Sequence, residues 1–106
     1  MIRQGLVLRL KPGALAEYVR HHDSIPTDWP DLAAALKVSG VKTIRTFEAD
    51  PLLFLYAEVD DEGAFARLWD SDPHKKWAQV MAPLIELDAD NKPDARFIPQ
   101  VFNFEA

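Results

Sequence analysis

Two histidines stand side by side in the stretch Glu17-Tyr18-Val19-Arg20-His21-His22, with a tyrosine four residues before the second. Imidazole is the side chain whose ordinary pKa lies nearest neutrality, so a positioned histidine is the first candidate for moving protons. Leu15, Tyr18, Val19 and His22 recur at i, i+3, i+4 and i+7, the spacing of one helix face. Successive helical residues turn by about 100 degrees, so the two rings diverge: His22 is expected to face inward and His21 to lie outward with Ala14 and Glu17. Tyr18, one turn earlier, places a phenol within reach of the same hollow. An imidazole on an apolar stripe at a helix end is either a packed core histidine or an acid/base group, and the residues alone leave both readings open.

The other candidates carry less. His21-His22-Asp23 is a poor metal site because helix neighbours point apart, and the remaining histidine, His74, falls on a different element, so no metal is expected. Trp29 and Trp69 read as core residues or interface anchors. Trp77 sits beside Lys75 and Lys76 in a short helix, where an indole can form the flat wall on which a sugar ring stacks. The hydroxyl of Tyr56, inside an apolar strand, needs a partner. There is no Ser/His/Asp order, and the 4 glycines do not form a phosphate-binding loop or a nucleotide fingerprint.

These residues must be positioned by elements that the hydrophobic pattern outlines. Alternation over residues 2 to 10 gives a first strand, with Leu6, Leu8 and Leu10 on one face, ended by Pro12-Gly13. After the histidine helix, Ser24 to Thr27 with Pro26 reads as a break. Thr27 or Asp28 is then expected to cap a second helix, which has Pro30 in its first turn, Leu32, Ala35 and Leu36 inward, and Gly40 just past its end. Residues 41 to 48 and 52 to 59 form a hairpin around Ala49-Asp50-Pro51, and the second strand, apolar on both faces, should be central. Asp60-Asp61-Glu62 starts a helix with Phe65, Leu68 and Trp69 inward. Ser71-Asp72-Pro73 starts another, carrying Trp77, Val80 and Met81. Residues 86 to 96 are a polar loop, and Phe97 to Phe104 a last strand in which Pro99 demands an edge or a bulge.

That order is the split βαβ, ferredoxin-like α+β pattern: an antiparallel sheet with helices on one face, in a single domain over residues 1 to 106. The strands are apolar on their other face too. A bare face of that kind predicts a homodimer joined through the sheets, a dimeric α/β barrel-type assembly. The balance of 12 Lys+Arg against 17 Asp+Glu, with no basic stripe, argues against nucleic acid as a partner. The absence of cysteine excludes disulfides and thiolate chemistry and fits a reducing cytoplasm. The longest apolar stretch, Leu52 to Ala57, is far short of the roughly 20 residues of a membrane span, so no membrane partner is expected.

Over nearly its full length the chain resembles the L-rhamnose mutarotase family. The matching pieces are Met1-Ile2-Arg3, Glu17-Tyr18 with Arg20 and His22, Trp29-Pro30 with Leu32 and Leu36, Gly40, Leu52-Leu53-Phe54, Glu58-Val59, Trp69, Trp77 with Met81, Asp90-Asn91-Lys92-Pro93 and Gln100-Val101-Phe102. The resemblance implies a dimeric ferredoxin-like isomerase that interconverts the α and β anomers of a sugar without a cofactor. It implies His22 as the catalytic proton donor, Tyr18 as a substrate-binding residue and Trp77 as the ring-stacking residue. Two positions depart from the family pattern: Ala78 stands where a second adjacent tryptophan is usual, and Ile44 where a strand tyrosine is usual. These changes imply a reshaped pocket and make L-fucose a candidate substrate alongside L-rhamnose. Rival readings on the same scaffold are a cofactor-free monooxygenase and a non-catalytic ligand-binding or dimerisation module.

Overall fold

The computed structural model describes residues 1–106. Its order is β1 (Ile2–Arg9), α1 (Leu15–Asp23), α2 (Ile25–Asp28), α3 (Pro30–Ser39), β2 (Val41–Ala49), β3 (Leu52–Val59), α4 (Ala64–Asp70), α5 (Asp72–Met81) and β4 (Arg96–Ile98). The four strands form one sheet in the order β2-β3-β1-β4, every neighbouring pair antiparallel. This is the ferredoxin-like arrangement, with β3 central as its doubly apolar sequence requires.

Register decides which side chains meet the helices. Leu6 lies opposite Leu55 and Leu8 opposite Leu53, while Ile44 and Thr46 on β2 face Ala57 and Leu55. Strand periodicity therefore puts Leu6, Leu8, Leu53, Leu55 and Ile44 on one face. On the side of the sheet bearing Leu6 and Leu53, Leu32 of α3, Phe65 and Leu68 of α4 and Trp77 and Met81 of α5 complete one core cluster. The opposite face carries Phe47, Phe54 and Val7 in one cross-strand row, with Ile98 above Gly5 in the next. Phe47 is 61% exposed and Phe54 37%. A Cβ on Gly5 would come within 3.1 Å of the Ile98 side chain, so the bare backbone there admits β4.

Local signals explain most element ends. Gly40 adopts φ 99°, closing α3 in the left-handed conformation that a side chain disfavours. Its neighbour Ser39 presents a carbonyl that accepts from Arg67 Nε at 3.2 Å and Nη2 at 2.9 Å, and Asp61 accepts from the same guanidinium at 2.8 Å. That fork ties the end of α3 to α4. At α5, the Ser71 hydroxyl accepts from the His74 backbone N–H, the expected cap.

Four expectations need correction. The stretch 24–27 does not simply break the chain: Ile25–Asp28 forms its own helical turn, because proline near a helix start forfeits no intrahelical bond. Trp29, not Thr27 or Asp28, is the residue before α3, and no side chain caps that helix. Val19 is 45% exposed rather than inward, since Tyr18, one position earlier on the helix, takes the place against the core. Finally, β4 ends at Ile98: Pro99 has no N–H to continue the ladder, and residues 99–106 run on without regular structure.

Candidate active site

A cavity of about 700 Å³ opens between the sheet and the helices, within the range of small-molecule sites. Leu8 and Leu55 supply sheet-side walls, and the five helices together with the segment after α5, which brings Asp88 and Lys92, supply the others. Tyr18, His22 and Trp77 all line it, so the three residues singled out from the sequence meet in one place.

Their arrangement follows from helical spacing. Tyr18 and His22 are one turn apart on α1, and their rings stack with centroids 3.9 Å apart and planes inclined by 27°. Trp77 meets the imidazole edge-on at 4.9 Å, and Trp29 in turn meets Trp77 edge-on at 5.1 Å. Tyr18 and Trp77 are each only 6% exposed. The indole of Trp29 thus packs against Trp77, a contact that its position in the chain did not reveal.

The imidazole has a defined tautomer. His22 Nδ1 lies 2.8 Å from the backbone carbonyl of Tyr18; a carbonyl can only accept, so Nδ1 carries the hydrogen. Nε2 is left as the nitrogen that can exchange a proton with a ligand. Burial lowers the His22 pKa below its ordinary 6.5, the Tyr18 carbonyl partly opposing that shift. Burial also pushes the Tyr18 phenol up to about 12, so it stays a neutral donor. His21 falls where the helix turn predicts, with Nε2 3.7 Å from Glu17 and away from the cluster.

Ile44 and Ala78 both line the cavity. So does His74, whose position one turn before Trp77 is the sequence signal that places it there. The Tyr56 hydroxyl finds its partner on its own strand, donating to Glu58 Oε2 at 2.7 Å, and strand alternation places both on the uncovered face. No helix is long and apolar enough to cross a membrane.

Fold and cavity together define a small ferredoxin-like α+β protein with its site between helices and sheet. Within that class the sequence is specific: the family model for L-rhamnose mutarotase matches residues 3–104. Among curated relatives, the L-rhamnose mutarotase of Tolumonas auensis is 34% identical over 104 residues, covering 96% of this chain and 97% of that protein. That of Bacteroides thetaiotaomicron is 32% identical over 107 residues, covering 99% and 100%. The crystal structure of L-rhamnose mutarotase from Formosa agariphila superposes with a TM-score of 0.82 at 27% identity, covering 99% of this chain and 100% of that one. The chain belongs to the L-rhamnose mutarotase family, a family of isomerases. A solved antibiotic biosynthesis monooxygenase shares only the fold, at 10% identity and a TM-score of 0.59 over 95% of this chain and 99% of its own.

Proposed function

We propose that this protein is a mutarotase for L-rhamnose or a related 6-deoxy sugar such as L-fucose, acting in the cytoplasm as a homodimer joined through the uncovered sheet faces. The observation that carries the reading is the stacked Tyr18–His22 pair against Trp77 on the wall of a cavity with ample room for a monosaccharide. Mutarotation needs proton transfer and positioning, which these side chains supply without a cofactor.

In this mechanism His22, in its charged form with a second proton on Nε2, gives that proton to the ring oxygen as the bond from that oxygen to the anomeric carbon breaks. The anomeric hydroxyl gives up its proton to solvent, leaving an open aldehyde. Rotation about the adjoining carbon–carbon bond presents the other carbonyl face. Closure then returns the ring-oxygen proton to Nε2 and reprotonates the anomeric oxygen, so the net change is stereochemical. Tyr18 donates its hydroxyl hydrogen to a sugar oxygen and holds the ring. Trp77 stacks on the apolar ring face and the C6 methyl. Ile44 and Ala78, which border the cavity without polar groups, support a pocket tolerant of more than one deoxyhexose.

The dimer reading rests on the row Phe47, Phe54 and Val7, flanked by Arg3, Arg45 and Glu58. A two-fold axis can pair such a mixed surface with itself, matching apolar to apolar and opposite charges to each other.

Saturation-transfer NMR on equilibrated anomers tests the function. The wild type should accelerate exchange of L-rhamnose or L-fucose, and His22→Ala should lose about a hundred- to ten-thousand-fold. Acceleration of neither sugar would end this reading, and oxygen uptake with phenolic substrates would then favour the monooxygenase alternative.

A further inference from the structure

His74 is the cavity-lining imidazole to which the mechanism above assigns no work. It occupies the first turn of α5, three residues before Trp77 and four before Ala78, so the three residues share one helix face and line the same cavity. Ala78, four residues on, offers the cavity only a methyl group. The backbone N–H of His74 is engaged by Ser71, but its side chain makes no hydrogen bond within the chain. Nor is the ring sealed away: the single buried side-chain polar atom without a partner is Gln4 Oε1. A half-buried imidazole on a cavity wall, its nitrogens unmatched within the chain, is a group available to polar cavity contents.

We propose that His74 is a second sugar-binding imidazole, hydrogen-bonding a hydroxyl of the bound deoxyhexose one helical turn from Trp77 and thereby helping to select the sugar. The inference rests on the carbohydrate reading of the cavity given above. Burial lowers the His74 pKa to about 4, so the ring is neutral under ordinary conditions and presents one donor and one acceptor. That pairing matches a hydroxyl, which both donates and accepts. The ligand chemistry that His74 fits is the hydroxyl of a polyol ring. His74 is a substrate-positioning group here, and the proton chemistry remains with His22.

The test is a titration of ¹⁵N-histidine-labelled protein with L-rhamnose and with L-fucose, following the ring nitrogens. The His74 signals should shift saturably with the same midpoint as those of His22 for at least one sugar. His74→Leu should raise that midpoint and KM about tenfold while leaving kcat within about twofold, the loss of one or two hydrogen bonds to bound ligand. His74→Gln, which keeps a donor and an acceptor, should recover part of the affinity; both substitutions spare the backbone N–H that Ser71 engages. Thermal unfolding confirms that each variant is folded. Movement of His22 signals alone, or a leucine variant that binds both sugars as the wild type does, overturns the proposal and leaves the mutarotase reading standing. Shifts of both rings without anomer exchange would sustain His74 as a sugar ligand and end the mutarotase reading. If neither ring responds to either sugar, both fall.

Discussion

His22 is held by the helix that carries it: the Tyr18 carbonyl takes its Nδ1–H and the Tyr18 ring stacks on its face. The consequence is a pH signature. A general acid at the ring oxygen must carry its second proton on Nε2, and burial makes that charged form scarcer by lowering the pKa below 6.5. Exchange catalysed by His22 as the acid should therefore rise as pH falls through this lowered value and decline above it. A profile that instead climbs with pH to a plateau would make bare Nε2 the base for the anomeric hydroxyl and require another donor at the ring oxygen. At this scale the sequence was informative where contacts are local. Tyr18 and His22 share one helix, and 3.6-residue geometry suffices to bring them together. The contacts of Trp77 with His22 and Trp29 join α5 to α1 and to the α2–α3 junction, and no spacing rule encodes distances between elements.

Among the elements, those with strong punctuation were legible and those without were not. Gly40 marked the end of α3, Ser71 the start of α5, and the two hairpin strands were found within a residue or so. The turn α2 was hidden by Pro26, which looks like a breaker but is harmless near a helix start. The length of β4 was overestimated because apolar residues continue past Pro99 to Phe104, although the ladder cannot. Gly40 offers a direct check. Its Cβ would meet the Asp60 side chain at 3.2 Å and the Arg67 guanidinium at 3.3 Å, in a conformation already costly for any side chain. Gly40→Ala should cost about 1–2 kcal/mol, read as a fall in Tm of roughly 5–10 °C. An unchanged Tm would mean that the Arg67 fork, rather than the left-handed cap, sets the geometry at this junction.

For the whole molecule, the sheet has one face built into a core and one that is not. The sequence announced this through strands apolar on both sides, and the register turns the hint into a defined surface of Phe47, Phe54 and Val7. Size-exclusion chromatography with light scattering should find the wild type at twice the chain mass of 12.0 kDa. Placing aspartate at both Phe47 and Phe54 should give a folded species of single-chain mass, since buried unpaired charges at the centre of such a contact are not tolerated. A wild type that runs as one chain at micromolar concentration would remove the dimer from the proposal while leaving the cavity, on the other side of the sheet, untouched.

The Tyr18–His22 pairing carries one more implication. Because the carbonyl that fixes the imidazole tautomer lies one turn back on the same helix, orientation and reactivity are inherited together from a five-residue segment. An insertion or deletion of one residue between positions 18 and 22 would rotate one ring by about 100 degrees and abolish both at once, whereas changes elsewhere in the chain leave the pair internally intact. The unit is thus portable in principle: any scaffold that can bury one turn of helix beside a suitable hollow could host it, with the receiving walls left to decide which molecule it meets.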